Sequence, residues 1–317
     1  MRSYLDFEKP VAELEAKLEE LSQVGAGGGS VKIDDELKPL AEKAAKALAG
    51  LYANLDPWQK TQVARHQDRP HFHDYVAQLI EDFTPLAGDR KFAEDEAIVG
   101  GLGRFRGQPV CIMGHEKGSD TDSRIRHNFG MARPEGYRKA ARLMELADRF
   151  SIPVISLVDT AGAFPGIDAE ERGQAEAIAR SIEACLSLGS PNVAVVVGEG
   201  GSGGAIALAT ANRVLMLEHA IYTVASPEAA ASILWRDSGK RQDAATMMKI
   251  TAQDLLKAHI IDTIVPEPVG GAHREPEKAI ATTGNAIEDA LRSLANMDAA
   301  ALKQARAEKF LALGRGA

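Results

Sequence analysis

The chain has 317 residues, 45% hydrophobic and 26% charged, with a net charge of −8 at pH 7. Its length is enough to bury about 75% of the surface of the unfolded chain in one large α/β body. The acidic balance argues against general nucleic-acid binding, which needs a positive footprint, and no apolar run approaches the roughly 18 residues of a membrane span.

At the N-terminus, Phe7, Val11, Leu14, Leu18 and Leu21 alternate steps of four and three, the spacing of an apolar seam. A helix is therefore expected over residues 1–24, docked on its own body or on a partner. GAGGGS, residues 25–30, reads as a flexible linker. The opening MRSYLDFEKPVAEL lacks the basic-then-apolar plan of a signal peptide. Cys111 and Cys185 form no metal or redox spacing, so a cytoplasmic, reducing setting is expected. Residues 31–95 form a helical entry that includes DDELKPLAEKAAKALAGLYANL. Within it, His71 and His73 make an H-x-H pair with no third ligand nearby, which favours structural or surface histidines over a zinc site.

Residues 96–270 read as an α/β core. AIVGGLGRF and QPVCIMGHE look like two strands around an Arg-Gly turn. Pro134 opens a helix whose Tyr137, Ala140, Ala141, Met144 and Ala147 share one face. Strand PVISLV leads into the loop DTAGAFPGIDAEERG, and Ala175, Ile178, Ala179, Ile182 and Leu186 mark the apolar face of the next helix. Strand VAVVV, a glycine loop, a short helix and strand RVLML follow, the alternation of a layered fold with strands buried on both faces. Thr251 with Asp254 suggests a capping box ahead of the strand IIDTIV. Residues 271–317 are helical by composition. Between Arg104 and Arg142, nine Lys/Arg face four Asp/Glu, a local +5. Arg124 and Arg126, in a DSRIRHNFG loop, are candidates to hold phosphates or meet an acidic partner; a solvated face is the alternative.

The glycine loop carries the chemistry. Gly198, Gly200, Gly201, Gly203 and Gly204 fall within seven positions. Gly198-x-Gly200-x-x-Gly203, with Glu218 beyond it, imitates a dinucleotide fingerprint, but the seven residues from Ala205 to Ala211 leave a crossover helix cramped. A P-loop is excluded because no Lys-Ser/Thr follows the last glycine. Gly200-x-Ser202-x-Gly204 matches a nucleophile elbow, and His273 downstream supplies the order of a hydrolase triad; a serine hydrolase using Ser202 stays open as the alternative. Met248-Lys249 resembles a biotin attachment core, but DAATMMKITAQDLL reads as helix, so Lys249 is taken as a surface lysine. The physical reading that remains is backbone approach. Gly203-Gly204 at a helix start offers unpaired N–H groups and a positive dipole end to an oxyanion. The DTAGAFPGIDAEERGQ loop makes a second bare-backbone surface. No obvious acid/base set accompanies either loop, which points to catalysis by charge stabilisation.

RHNFGMARPEGYRKAARLMELADRF, PVISLVDTAGAFPGIDAEERGQAEAIARS, VVVGEGGSGGAIALA, SPEAAASILW, TAQDLL and VPEPVGGAHR together resemble the carboxyltransferase α subunits of bacterial acetyl-CoA carboxylases. The resemblance runs from about Phe7 to His273. It implies an α/β crotonase-like spiral of ββα units over residues 31–317, behind the N-terminal helical extension. It also implies transfer of a carboxyl group from carboxybiotin to acetyl-CoA, giving malonyl-CoA in fatty acid biosynthesis. Related enzymes use propionyl-CoA and other acyl-CoAs. The implied partners are a β subunit in an α2β2 assembly, a biotin carboxyl carrier protein and a biotin carboxylase that uses ATP. Zinc is expected in the β subunit only, and no cofactor is bound covalently to this chain. The Gly203 and Gly204 amides would face the ureido oxygen of biotin, which itself takes the methyl proton. Gly200, Gly201, Ser202, Gly162, Ala163, Phe164, Gly166, Arg124 and Arg126 would line the substrate. Ala161, Phe164 and Ala132-Arg133 depart from the Pro, Tyr and Pro-Ala common in the family, so the role implied for Phe164 is apolar shaping.

Overall fold

The computed structural model describes residues 3–26 and 32–314. The chain begins with α1 (Lys9–Ala26) packed against α2 (Lys32–Tyr52). Val11 is buried and Leu14, Leu18 and Leu21 are half-buried, so the seam read from sequence is covered within the molecule. Residues 25 and 26 of the expected linker continue α1; residues 27–30 lie outside the described residues. Buried Glu8 ties this extension to the body by accepting the Tyr52 hydroxyl at 3.0 Å and the Arg274 guanidinium at 3.2 Å.

Next come α3 (Pro57–Ala64), α4 (Phe72–Leu79) and the edge strand β1 (Ile80–Pro85). Strands β2 (Ile98–Phe105) and β3 (Gln108–His115) form the expected hairpin, with φ values of 52° at Arg106 and 76° at Gly107 in its turn. Two left-handed residues match the right-handed twist of the flanking strands. After the six-residue α5 (Thr121–Arg126), Pro134 occupies the first turn of α6 (Pro134–Arg149). Its fully buried Leu143 and Met144 each contribute about 1.5–3 kcal/mol.

β4 (Val154–Thr160), α7 (Ile167–Glu171), α8 (Gln174–Ser187), β5 (Asn192–Gly201), α9 (Ser202–Ala209) and β6 (Arg213–Leu217) follow in order. The short β7 (Ile221–Thr223), α10 (Pro227–Trp235), α11 (Arg241–Met247), α12 (Ala252–Lys257) and β8 (Thr263–Val265) lead to the C-terminal α13 (Pro276–Leu294) and α14 (Ala299–Ala312). One sheet runs β1-β2-β3-β4-β5-β6-β8, antiparallel across β1, β2 and β3 and parallel from β3 onward. β5 pairs with β6 through Val193–Val196 and with β7 through Glu199–Gly201. Every residue of β4 and β5 is buried, as strands covered on both faces require. α6, α8 and α9 pack together over the sheet, and α13 packs on β5, β6 and α4.

Three local expectations change. On α8 the buried residues are Gln174, Ala177, Ser181 and Cys185, not the stripe from Ala175 to Leu186. Ser181 donates to the Ala207 carbonyl at 2.7 Å and Cys185 meets Met144 at 3.5 Å, so α6 and α9 approach too closely for larger side chains. The run around Lys249 is not one helix: α11 ends at Met247, and exposed Lys249 sits in a left-handed turn at φ 54°. Thr251 caps α12 by accepting the Asp254 N–H at 3.2 Å, but its hydroxyl then bonds the Asp254 carboxylate at 2.8 Å, which replaces the reciprocal half of a capping box.

Candidate active site

The carboxyl ends of parallel strands are where open α/β sheets bind ligands. Here the ends of β4 and β5 lie side by side, with Thr160 opposite Gly200. The loop after β4 is held by its own polar groups. The Thr160 hydroxyl donates to the Gly162 carbonyl at 2.8 Å and accepts the Gly162 N–H at 3.1 Å, with Gly162 at φ 149°. The Phe164 N–H donates to the Ala132 carbonyl at 3.0 Å, and the Gln174 amide bridges the Ala132 and Phe164 carbonyls at 2.9 Å each. Arg133 stacks 4.6 Å above the Phe164 ring, and Gly166 caps α7.

The glycine loop packs straight onto this loop. A Cβ on Gly201 would fall 2.1 Å from the Ala161 carbonyl oxygen. On Gly204 it would fall 2.9 Å from the Ala163 nitrogen and 3.0 Å from the Tyr137 hydroxyl. On Gly203 it would meet only Ile178, at an ordinary 3.4 Å. Two of the glycines are thus demanded by loop-to-loop packing, a reason hidden in the sequence. Gly201 is the N-cap of α9 and no side chain caps the helix. Ser202, Gly203 and Gly204 fill its first turn, whose N–H groups lack intrahelical acceptors. Ser202 is exposed, at a left-handed φ of 49°. The triad of the hydrolase alternative is not assembled: His273 stacks on His66 with ring centroids 3.8 Å apart, and neither of its nitrogens has a hydrogen-bond partner. Nor is Glu218 free for a ribose, since its carboxylate accepts the Glu267 N–H at 3.3 Å.

Beside these loops the fold assembles a charged cluster, contrary to the expectation of no acid/base set, and its two acids belong to the loops themselves: Asp159 opens DTAGAFPGIDAEERG and Glu199 stands between Gly198 and Gly200. Buried Asp159, on β4, contacts Lys117 Nζ at 2.6 Å, accepts the Glu199 N–H at 2.8 Å and lies 3.8 Å from His71 Nδ1. Glu199, on β5, receives Arg65 at 2.6 Å and lies 3.8 Å from Lys117; Arg65 reaches on to Glu228 at 2.7 Å. Burial alone would raise the Asp159 carboxyl, but Lys117 and His71 outweigh it and hold the group below the usual carboxylate range. Burial opposes charge on His71 too, yet its contact with Asp159 raises it. A pocket of about 290 Å³ is lined by Arg65, His71, Lys117, Arg124, Asp159 and Glu199, with Ala161 and Phe129 at its edge.

Of the two arginines singled out from sequence, only Arg124 reaches this pocket. The DSRIRHNFG stretch is α5 and a short 3-10 turn instead of a loop. Arg124 is half-buried, its Nε 3.4 Å from the Gly118 carbonyl. Exposed Arg126 points elsewhere, 3.6 Å from Glu96. Among the described residues no group of three or more His, Cys, Asp or Glu could hold a metal ion, and no helix is long and apolar enough to cross a membrane. Sequence reasoning passed over His71, Lys117, Asp159 and Glu199, although Asp159 and Glu199 stand inside the two loops it singled out, at the carboxyl ends of adjacent strands.

A family profile described as acetyl co-enzyme A carboxylase carboxyltransferase-like matches residues 4–314. The acetyl-coenzyme A carboxylase carboxyl transferase subunit alpha of Methylobacterium nodulans is 74% identical over 315 residues, covering 99% of each chain. The protein of the same name from Xanthobacter autotrophicus is 72% identical over 315 residues, with the same coverage. Among solved structures, transcarboxylase 12S with hydrolysed methylmalonyl-coenzyme A bound aligns with a TM-score of 0.59 at 20% identity. That alignment covers 73% of this chain and 43% of the other, so this chain spans less than half of the transcarboxylase chain and shares its crotonase-like fold.

Proposed function

This chain belongs to the family of acetyl-coenzyme A carboxylase carboxyl transferase alpha subunits, transferases that work with a beta subunit, and we propose that its share of the reaction is to stabilise an oxyanion on the Gly203 and Gly204 amides while a carboxyl group moves to acetyl-CoA. The observation that carries this reading is the uncapped first turn of α9, braced by the contact of Gly204 with Ala163. Donors fixed by packing need no reorganisation as charge develops, which is where such sites gain most of their effect. The carboxyl donor would be carboxybiotin on a biotin carboxyl carrier protein, loaded by an ATP-using biotin carboxylase, in the cytoplasm.

Gly162, Ala163, Phe164 and Gly166 would form one wall for the reactants, and Gly200, Gly201 and Ser202 the other. Arg124 would supply charge at the rim, while Arg126 lies outside the pocket, 3.6 Å from Glu96. The beta subunit, in an α2β2 assembly and with its own zinc, would close the site opposite. Reconstitution tests the reading: the purified chain mixed with its beta subunit, carboxybiotin and acetyl-CoA should form malonyl-CoA, and neither subunit alone should do so. A complex that assembles yet makes no malonyl-CoA sinks the reading.

A further inference from the structure

The pocket between α3, α5 and the ends of β4 and β5 has features that packing alone does not explain. His71 is 8% exposed; its Nδ1 lies 3.8 Å from the Asp159 carboxylate, and its Nε2 has no hydrogen-bond partner among the described residues. A buried polar atom is ordinarily satisfied, so the unpartnered Nε2 of a histidine lining a pocket marks a place for a ligand. Arg124 lines the same space, and among the described residues its one hydrogen bond runs from Nε to the Gly118 carbonyl, with none from the two terminal nitrogens of its fork. Three cations, Arg65, Lys117 and Arg124, face two carboxylates, Asp159 and Glu199. The lining carries a net +1 with His71 uncharged and +2 with it protonated, so in either state it favours an anion.

The pocket is also in the right place and of limited size. Ala161 forms part of its edge while the Ala161 carbonyl packs against Gly201, the cap of the helix that carries the oxyanion amides. About 290 Å³ suits a small acyl group and not a whole coenzyme. Phe129, 51% exposed and held at φ 55°, supplies an apolar wall.

We propose that this pocket is a carboxylate subsite, in which the Arg124 fork and His71 Nε2 hold the carboxylate of the malonyl thioester. The proposal rests on the carboxyltransferase reading above. Arg124 and a carboxylate match as a planar fork to two oxygens, and Asp159, itself paired with Lys117, lies against the other nitrogen of His71.

Because acetyl-CoA lacks the carboxylate and malonyl-CoA carries it, the two thioesters separate this group from the rest of the coenzyme. Steady-state kinetics of the reconstituted complex would be run forward with acetyl-CoA and in reverse with malonyl-CoA, on wild type, Arg124→Ala, Arg124→Lys and His71→Asn. Arg104→Ala, at an exposed surface arginine, serves as the control. Arg124→Ala and His71→Asn should raise KM for malonyl-CoA ten-fold or more and leave KM for acetyl-CoA within two-fold; Arg124→Lys should recover part of the loss. A parallel rise in both KM values would assign the pocket to a group common to both thioesters, such as the coenzyme phosphates, and overturn the proposal. Unchanged KM values would overturn it as well. Calorimetric titration of the chain with malonate reads the pocket independently of catalysis. Binding that weakens in Arg124→Ala supports a carboxylate site even if the complex proves inactive, and no binding to the wild-type chain overturns it.

Discussion

Gly204 lies against Ala163 so closely that a Cβ there would sit 2.9 Å from the Ala163 nitrogen. Helix α9 and the loop after β4 therefore pack backbone to backbone, with no room for a side chain between them at Gly204.

Substitutions within the glycine loop should separate according to what each Cβ meets. Gly203→Ala points at Ile178 in ordinary contact and keeps its N–H, so turnover should stay within a few-fold of wild type. Ser202→Ala should also keep most activity, because His273, the histidine a triad would need, stacks on His66 and hydrogen-bonds nothing among the described residues. Gly204→Val must push away Ala163 or Tyr137 and displace the donors, at about 10² to 10³ in kcat. Complex formation checked by gel filtration keeps a folding defect from passing as a catalytic one. A dead Ser202→Ala enzyme would revive the hydrolase alternative.

Arg306 should prove the largest single anchor of the C-terminal helix. Its guanidinium is fully buried and donates to the Leu186, Leu188 and Ser190 carbonyls and to the Asn192 and Asn212 side chains. No carboxylate is among these partners, and burial pushes its pKa down to about 10. Arg306→Ala takes a donor from five acceptors, of which Asn192 and Asn212 keep each other's backbone N–H, and a loss of about 3–5 kcal/mol is expected from urea unfolding. A loss below 1 kcal/mol would mean that α14 is held by its apolar face alone.

His273 should make stability depend on pH. Burial first, then the charges of His66, Arg69 and Arg274, lower its pKa to about 3, whereas the unfolded chain takes up the proton near 6.5. Between those values the unfolded state binds more protons, so the folded state loses stability as pH falls through that window. Glu267 adds to the slope lower down: burial would raise it, but Arg69 at 2.9 Å depresses it to about 2, so its contribution fades between about pH 4.5 and 2. Urea midpoints at pH 7.5 and 5.5 should differ less in His273→Gln than in wild type. Equal slopes would place the titration elsewhere.

Lys249 should carry no biotin. It is exposed in a left-handed turn between α11 and α12, with no hairpin for an attachment enzyme to grip. Intact-mass measurement of the chain expressed with a biotin ligase should show the unmodified mass.

Much of this protein was determined by sequence alone, because the deciding signals act over a few residues. The Arg106-Gly107 turn, the proline that opens α6 and the alternation of buried strands with helices each follow from local backbone chemistry. The glycine run likewise announced a bare helix start, and the combined blocks of sequence pointed to the family. The tertiary structure decided which face of α8 is buried, because the close approach of α6 and α9 selects small side chains over larger apolar ones. It also separated Arg124 from Arg126, two positions apart on one short helix. It alone brought Arg65 to Glu199 across 134 residues of chain, and set His71 and Lys117 around Asp159. Charged groups that distant leave no periodicity to read. Only burial in a common low-dielectric space makes their pairing strong enough to define a site.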